Sequence, residues 1–302
     1  MRTQTDRRPV VVGVESSGDS RATIEWAARE AASRQVPLIL VHTWNWGSVP
    51  MMSQYGDAEK TAIEDEGARI LERAKEQASA TGARDVRIVP QRGHAPEVLV
   101  DLTATSSLLV VGSHHPSSIA RGVFGSVGTT VVSAARCPVV VLAGAPGMVE
   151  ERPGVVAGVT GEPHDQDVLR FAFDYAARHG LPLHVVHSWT PAFGALKLPP
   201  PDVLRLHLSE IVAGWRQQYP DVVTHLVVRH GDPVDALVES SASQALLIVG
   251  RHAPRMRLGS LLGSTCLGVV HHATCPVAVI PPSGAVTERE FVATAQPGMV
   301  TP

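Results

Sequence analysis

One block of this sequence occurs twice, and the duplication constrains the fold more than any other feature. Leu108-Leu109-Val110-Val111-Gly112, Gly125-Ser126 and Cys137-Pro138-Val139-Val140-Val141-Leu142 form the first copy. Leu246-Leu247-Ile248-Val249-Gly250, Gly263-Ser264 and Cys275-Pro276-Val277-Ala278-Val279-Ile280 form the second, 138 residues later throughout. Each copy reads as a buried strand, a glycine turn, a Gly-Ser helix start and a second buried strand. A helix opening on Gly-Ser leaves backbone N–H groups free to meet an anion, so the repeat bears on fold and function together.

The rest of the chain follows the same duplication. Pro9 to Val14 and Val155 to Val159 read as first strands, ending at Glu15 and Thr160. Ser16-Ser17-Gly18-Asp19-Ser20 is a turn and helix-start cluster. Ile24, Ala27, Ala28 and Ala31 recur at helical spacing, as do Leu169, Ala172, Phe173 and Ala176 in a second helix over about 165–179. Second strands run from Pro37 to Trp44 and from Pro182 to Trp189. Longer helices are predicted over Asp57–Ala80 and Asp202–Tyr219, and third strands over Val86–Val89 and Val223–Val228. Gly93 and Gly231 then open the turns into third helices, Glu97–Thr105 and Asp235–Ser243.

Strands alternating with helices predict an α/β fold with a parallel, doubly wound sheet. The expectation is two tandem five-stranded, Rossmann-like domains of strand order 3-2-1-4-5, spanning 1–146 and 152–284, with a loose tail over 285–302. Aromatic residues make up only 4% of the chain, so Val, Ala, Leu and Ile must build the core, as in parallel sheets covered on both faces. In such sheets, ligands bind at the strands' carboxyl ends where the connections diverge, here between strands one and four of each half. Glu15 and Gly112 stand there in the first half, Thr160 and Gly250 in the second.

At these residues the chain resembles the universal stress protein family in its tandem form, over nearly all of 9–143 and 154–281. The family signature is Gly, two residues, Gly, nine residues, Gly, then Ser or Thr. Here it reads Gly112-Ser113-His114-His115, nine residues, Gly125-Ser126, and Gly250-Arg251-His252-Ala253, nine residues, Gly263-Ser264. The spacing is kept, while His115 and Ala253 replace the middle glycine. The resemblance implies binding of ATP, with or without Mg²⁺. An acid ending strand one lies near the nucleoside, an apolar residue at the end of strand two offers backbone groups to adenine, and the glycine loop with Gly-Ser holds phosphate. Carried over, the first copy supplies Glu15, Val41, Gly112, His115, Gly125 and Ser126. The second supplies Thr160, Val186, Gly250, Ala253, Gly263 and Ser264. Glu15 keeps the charge of the usual Asp; Thr160 does not, so the first half is the favoured ATP site. The resemblance also implies that the last strands pair the two halves, and it leaves homodimerisation open.

Other signals point away from catalysis. No nucleophile–base pair is readable, so at most slow, incidental ATP hydrolysis is expected. The cluster at 16–20 partly resembles the phosphate loop of ATP pyrophosphatases, one glycine short. A nucleotide-free scaffold of the same fold is the other alternative, because the His115, Ala253 and Thr160 changes permit it. His114-His115 and His271-His272 have no ligand partner at metal-binding spacing. His42 and His187 match across the repeat and fit either a place beside the site or a buried, hydrogen-bonded role. Arg251, Arg255 and Arg257 read as phosphate partners or as surface charge. A net charge of −3 argues against nucleic acid or anionic membrane as the main partner. No apolar run approaches the ~18 residues that span a bilayer. The polar start lacks a secretory core and three cysteines make no disulfide framework, so a cytoplasmic protein is expected.

Overall fold

The computed structural model describes residues 7–15, 20–45, 56–112, 125–142, 153–162, 165–190, 200–251 and 263–282. Its first half runs β1 (Val10–Gly13), α1 (Arg21–Arg34), β2 (Leu38–Trp44), α2 (Asp57–Ala80), β3 (Val86–Arg92), α3 (Ala95–Leu102), β4 (Leu108–Gly112), α4 (Ser126–Ala134) and β5 (Val139–Leu142). The second runs β6 (Val155–Val159), α5 (Asp165–His179), β7 (Leu183–Trp189), α6 (Pro201–Gln218), β8 (Thr224–His230), α7 (Pro233–Ser241), β9 (Leu246–Gly250), α8 (Ser264–His272) and β10 (Val277–Ile280).

All the strands join one sheet, ordered β3-β2-β1-β4-β5-β10-β9-β6-β7-β8. Each half therefore has the order 3-2-1-4-5, and pairing within each half is parallel. Successive residues of β1 serve opposite faces. Val10 and Val12 join one apolar layer with Ile24, Ala28 and Leu71, while Val11 joins the other with Leu99, Val131 and Val139. Both layers are dry because helices cover both faces, which is why these strands read as unbroken apolar runs.

The halves meet at β5 and β10, the one antiparallel pairing among the described residues. Val140 lies opposite Ala278, Val139 opposite Val279 and Val141 opposite Val277. Val140 and Ala278 are repeat equivalents, so a local twofold axis passes between them. Two apolar edges, each prone to pair with any exposed strand, hide one another. On one face α1 and α5 extend the seam: Trp26 stacks on Tyr175 at 6.5 Å. Beside them Glu30, 1% exposed, accepts from Arg34 Nε (2.6 Å), Arg178 Nη1 (2.8 Å) and His179 Nε2 (2.9 Å). Burial alone would raise this carboxyl. The His179 hydrogen bond and the two guanidinium groups overcome it and hold the group far below the usual carboxylate range.

Three boundaries differ from the sequence expectation for identifiable reasons. β3 continues to Arg92 through Pro90, which an edge strand tolerates because one side of its backbone has no partner to satisfy. α7 starts at Pro233 rather than Asp235: Pro233 fixes a helical φ, and the Asp232 carboxylate accepts the N–H groups of Val234 (2.7 Å) and Asp235 (3.3 Å). α3 likewise starts at Ala95, with Pro96 in its first turn, and ends at Leu102. Gly93 and Gly231, at φ +149° and +130°, make the equivalent turns before these helices, where a side chain would be strained.

Candidate functional site

Three strand ends define each crevice mouth. In the first half β1 lies between β2 and β4, with Val12 level with Leu40 and Val110. The chain leaves β1 toward α1 on one face and leaves β4 toward α4 on the other, so the two connections part between β1 and β4. Glu15, exposed, lies two residues beyond β1. Its backbone N–H donates to Ser20 Oγ (3.0 Å) just before α1 begins. Gly112 closes β4. A methyl group there would stand 3.2 Å from Thr23 Oγ1, so glycine lets α1 pack tightly against this strand end.

Gly125 sits at the N-cap of α4 in an extended conformation (φ −63°, ψ 162°), with open space where a side chain would project. Having no side chain, it cannot accept the first-turn N–H groups, and Ser126, exposed, is the first helical residue. Gly263 and Ser264 repeat this at α8 (φ −65°, ψ 147°). Each half thus presents a helix start whose N-cap glycine supplies no side-chain acceptor, with a favourable dipole end and a hydroxyl at its surface.

Val41 and Val186 lie inside strands that run to Trp44 and Trp189, as the sequence predicts, and not at the strand ends where the resemblance puts the adenine-facing residue. Thr43 and Trp44 still pair with Gln91 and Arg92, and Ser188 and Trp189 with Arg229 and His230. Val41 is 1% exposed, and its carbonyl accepts the Val14 N–H at 2.8 Å. Both valines pack in the apolar layer under α3, α4, α7 and α8. The open end of each second strand therefore lies at Trp44 and Trp189. His115 and Ala253 lie outside the described residues, as do His114, Arg255, Arg257 and residues 16–19.

The matched histidines do the same work in both halves. His42 Nδ1 lies 2.8 Å from the Val14 carbonyl and His187 Nδ1 lies 3.1 Å from the Val159 carbonyl. A carbonyl only accepts, so Nδ1 carries the proton in each ring. Each imidazole ties the end of the first strand to the second strand. In the second half His207, on α6, also approaches from above, its Nε2 at 3.2 Å from the Gly161 carbonyl.

Two residues take roles that sequence reasoning did not assign. Asp165 opens α5, is wholly buried, and accepts from the N–H groups of Thr160 (3.0 Å), Gly161 (2.7 Å) and Glu162 (3.1 Å) and from the Thr160 hydroxyl (3.2 Å). The strand-end position itself carries Thr160 and no acid; a buried carboxylate stands five residues further on, taken up by the turn. The signal was available, since Asp165 and Ser20 are repeat equivalents and both types favour helix starts. Arg251 neither faces a phosphate nor lies loose on the surface. Its Nη1 donates to the carbonyls of Val132 (3.1 Å) and Ala135 (2.8 Å), at the C-terminal end of α4 in the other half. A cation there complements the helix dipole. Burial pulls this guanidinium below its ordinary value.

Among the described residues, no group of three or more His, Cys, Asp or Glu is placed to hold a metal ion, and no helix is long and apolar enough to cross a membrane. Burial pushes the Cys137 and Cys266 thiols up to about 12, so neither is a thiolate near neutral pH.

A sequence profile described as the universal stress protein family matches residues 6–143 and again residues 154–281. Universal stress protein Rv2005c of Mycobacterium tuberculosis (strain H37Rv) is 34% identical over 287 residues, covering 89% of this chain and 96% of that protein. A universal stress protein of Mycolicibacterium smegmatis is 30% identical over 288 residues, covering 90% and 97%. The crystal structure of a universal stress protein from Archaeoglobus fulgidus superposes with a TM-score of 0.72 over 93% of this chain and 99% of that one, at 16% identity. With two matching halves and the parallel α/β architecture just described, this chain belongs to the universal stress protein family, in its tandem form.

Proposed function

We propose that the protein binds an adenine nucleotide, ATP above all, at the divided mouth of its sheet, and that the loaded and empty states carry a signal in the stress response. The observation that carries this reading is the pair of glycine-capped helix starts, Gly125-Ser126 and Gly263-Ser264, each with no N-cap side chain over its first turn and a surface hydroxyl following the strand-end glycines Gly112 and Gly250. An anionic phosphate fits such a helix end, where N–H groups and dipole act together. In the first half Glu15 supplies the carboxylate that would accept from ribose hydroxyls. The open space around Gly125 leaves room for phosphate beside the backbone. Mg²⁺ would enter with the triphosphate, ligated by the nucleotide's own oxygens.

These residues bind and orient; none of them is a base poised over a phosphate, and the role is signalling rather than turnover. Residues 1–146 and 152–284 each form one unit of this arrangement. The three cysteines, all buried and none in a disulfide, suit a reducing compartment and hence the cytoplasm. The test is direct. Protein purified without added nucleotide is denatured, and the released small molecules are identified by mass spectrometry. The expected result is ATP or its hydrolysis products, with no steady phosphate release from the native protein. An empty protein that also gives no binding heat with ATP and Mg²⁺ overturns the reading in favour of a nucleotide-free scaffold. Rapid pyrophosphate release would instead support a pyrophosphatase.

A further inference from the structure

Among the described residues that follow β1 and β6, each half pairs a carboxylate with a hydroxyl five residues apart, and the two groups have changed places. Glu15 corresponds to Thr160 and Ser20 to Asp165, each 145 residues apart. In the first half the hydroxyl stands at the helix start, and Ser20 Oγ accepts the Glu15 N–H. The carboxylate of Glu15 stays at the exposed strand end. In the second half the carboxylate stands at the helix start, wholly buried.

This exchange changes what each mouth can offer. A carboxylate has about four lone-pair sites. Asp165 receives the N–H groups of Thr160, Gly161 and Glu162 together with the Thr160 hydroxyl. Thr160 Oγ1 itself accepts from the Glu162 N–H at 3.3 Å. Gly161, at φ +89°, lets the turn fold over the carboxylate, and its carbonyl is engaged by His207. A ribose hydroxyl arriving here would have to displace one of these donors and leave it unpaired beside a buried charge.

We infer that Asp165 latches the second crevice, so that the chain takes one adenine nucleotide rather than two, and takes it in the first half. The inference rests on the nucleotide reading above and deepens it. Asp165 acts through the turn it folds; it is a positioning residue, and touches no ligand.

Titration calorimetry with ATP and Mg²⁺ tests it. The unaltered protein is expected to bind one equivalent, which Glu15→Gln weakens at least ~10-fold. The double variant Thr160→Glu with Asp165→Ser rebuilds the first half's arrangement in the second and is expected to bind a second equivalent. Photolabelling of the unaltered protein with 8-azido-ATP, followed by peptide mapping, is expected to mark residues within 9–143 only. This arm decides the question even if the double variant fails to fold. Two equivalents in the unaltered protein, or label within 154–281, overturns the inference and leaves the nucleotide reading intact. A folded double variant that still binds one equivalent overturns the role of Asp165. Absence of binding to either half overturns the nucleotide reading and the inference together.

Discussion

Glu30 shows what one residue can decide. It is a single carboxylate with 1% exposure, surrounded by Arg34, Arg178 and His179, two of which belong to the other half. Removing it strips half-buried Arg34 of its counter-charge and leaves half-buried Arg178 with Asp174 alone (3.2 Å), so Glu30→Ala should destabilise the protein by about 3 kcal/mol in denaturant unfolding. Its titration adds a pH dependence of fixed sign. The folded carboxyl ionises well below its usual range, whereas in the unfolded chain it titrates near ~4.3. Its contribution is therefore complete above about pH 5 and lost as pH falls toward the lowered folded value. Unfolding free energies measured down the acid limb should fall more steeply for the native protein than for Glu30→Gln. Parallel curves would remove Glu30 from the account. The thiols give a second test at this scale. Cys137 and Cys266 should resist a thiol-specific reagent at neutral pH until the protein unfolds, then react at once, as assayed by absorbance.

At the scale of elements, most of the chain was legible because its parts are regular. Apolar runs bounded by Gly and Pro gave the strands, and helical spacing in α1 and α5 named the buried residues Ile24, Ala27, Ala28, Leu169 and Phe173 correctly. What stayed hidden depended on neighbours. The second strand was legible through Trp44, where β2 ends; only the resemblance put its end at Val41, and that position depends on the tertiary pairing with β3. Asp165 read as an ordinary helix start because its donors come from a turn whose fold depends on a positive φ at Gly161. Arg251 read as a phosphate partner or as surface charge because only the joined sheet brings α4 within its reach. The duplicated helix start carries its own prediction. Gly125→Val with Ser126→Ala fills the open space at the N-cap of α4 and removes the hydroxyl. Affinity for ATP should fall ~10–100-fold, the equivalent of about 1.4–3 kcal/mol of charge-assisted bonding. Unchanged affinity in a folded double variant would move the phosphate elsewhere.

For the whole molecule, the seam matters most. β5 and β10 pair through equivalent residues, α1 packs on α5, and Arg251 reaches across to α4. The two halves should therefore unfold as one cooperative unit. Arg251→Ala removes two charge-assisted hydrogen bonds at the end of α4, worth roughly 1.5–3 kcal/mol each at most. Calorimetric melting should show a lower midpoint and a transition broadened or split between the halves. A sharp, unshifted melt would make this contact incidental. The pairing of the last strands came from the family resemblance; the sequence itself showed only two apolar edges that needed cover. The twofold register at Val140 and Ala278 was not readable, because nothing local sets which residues face one another.

Because β5 and β10 are each flanked on both sides within one chain, a second molecule cannot add to the sheet there. Among the described strands, only the outer ones, β3 and β8, are left to extend this sheet into a second molecule. The linker between the halves also frees their union from dilution: the central ladder holds at nanomolar as at micromolar protein.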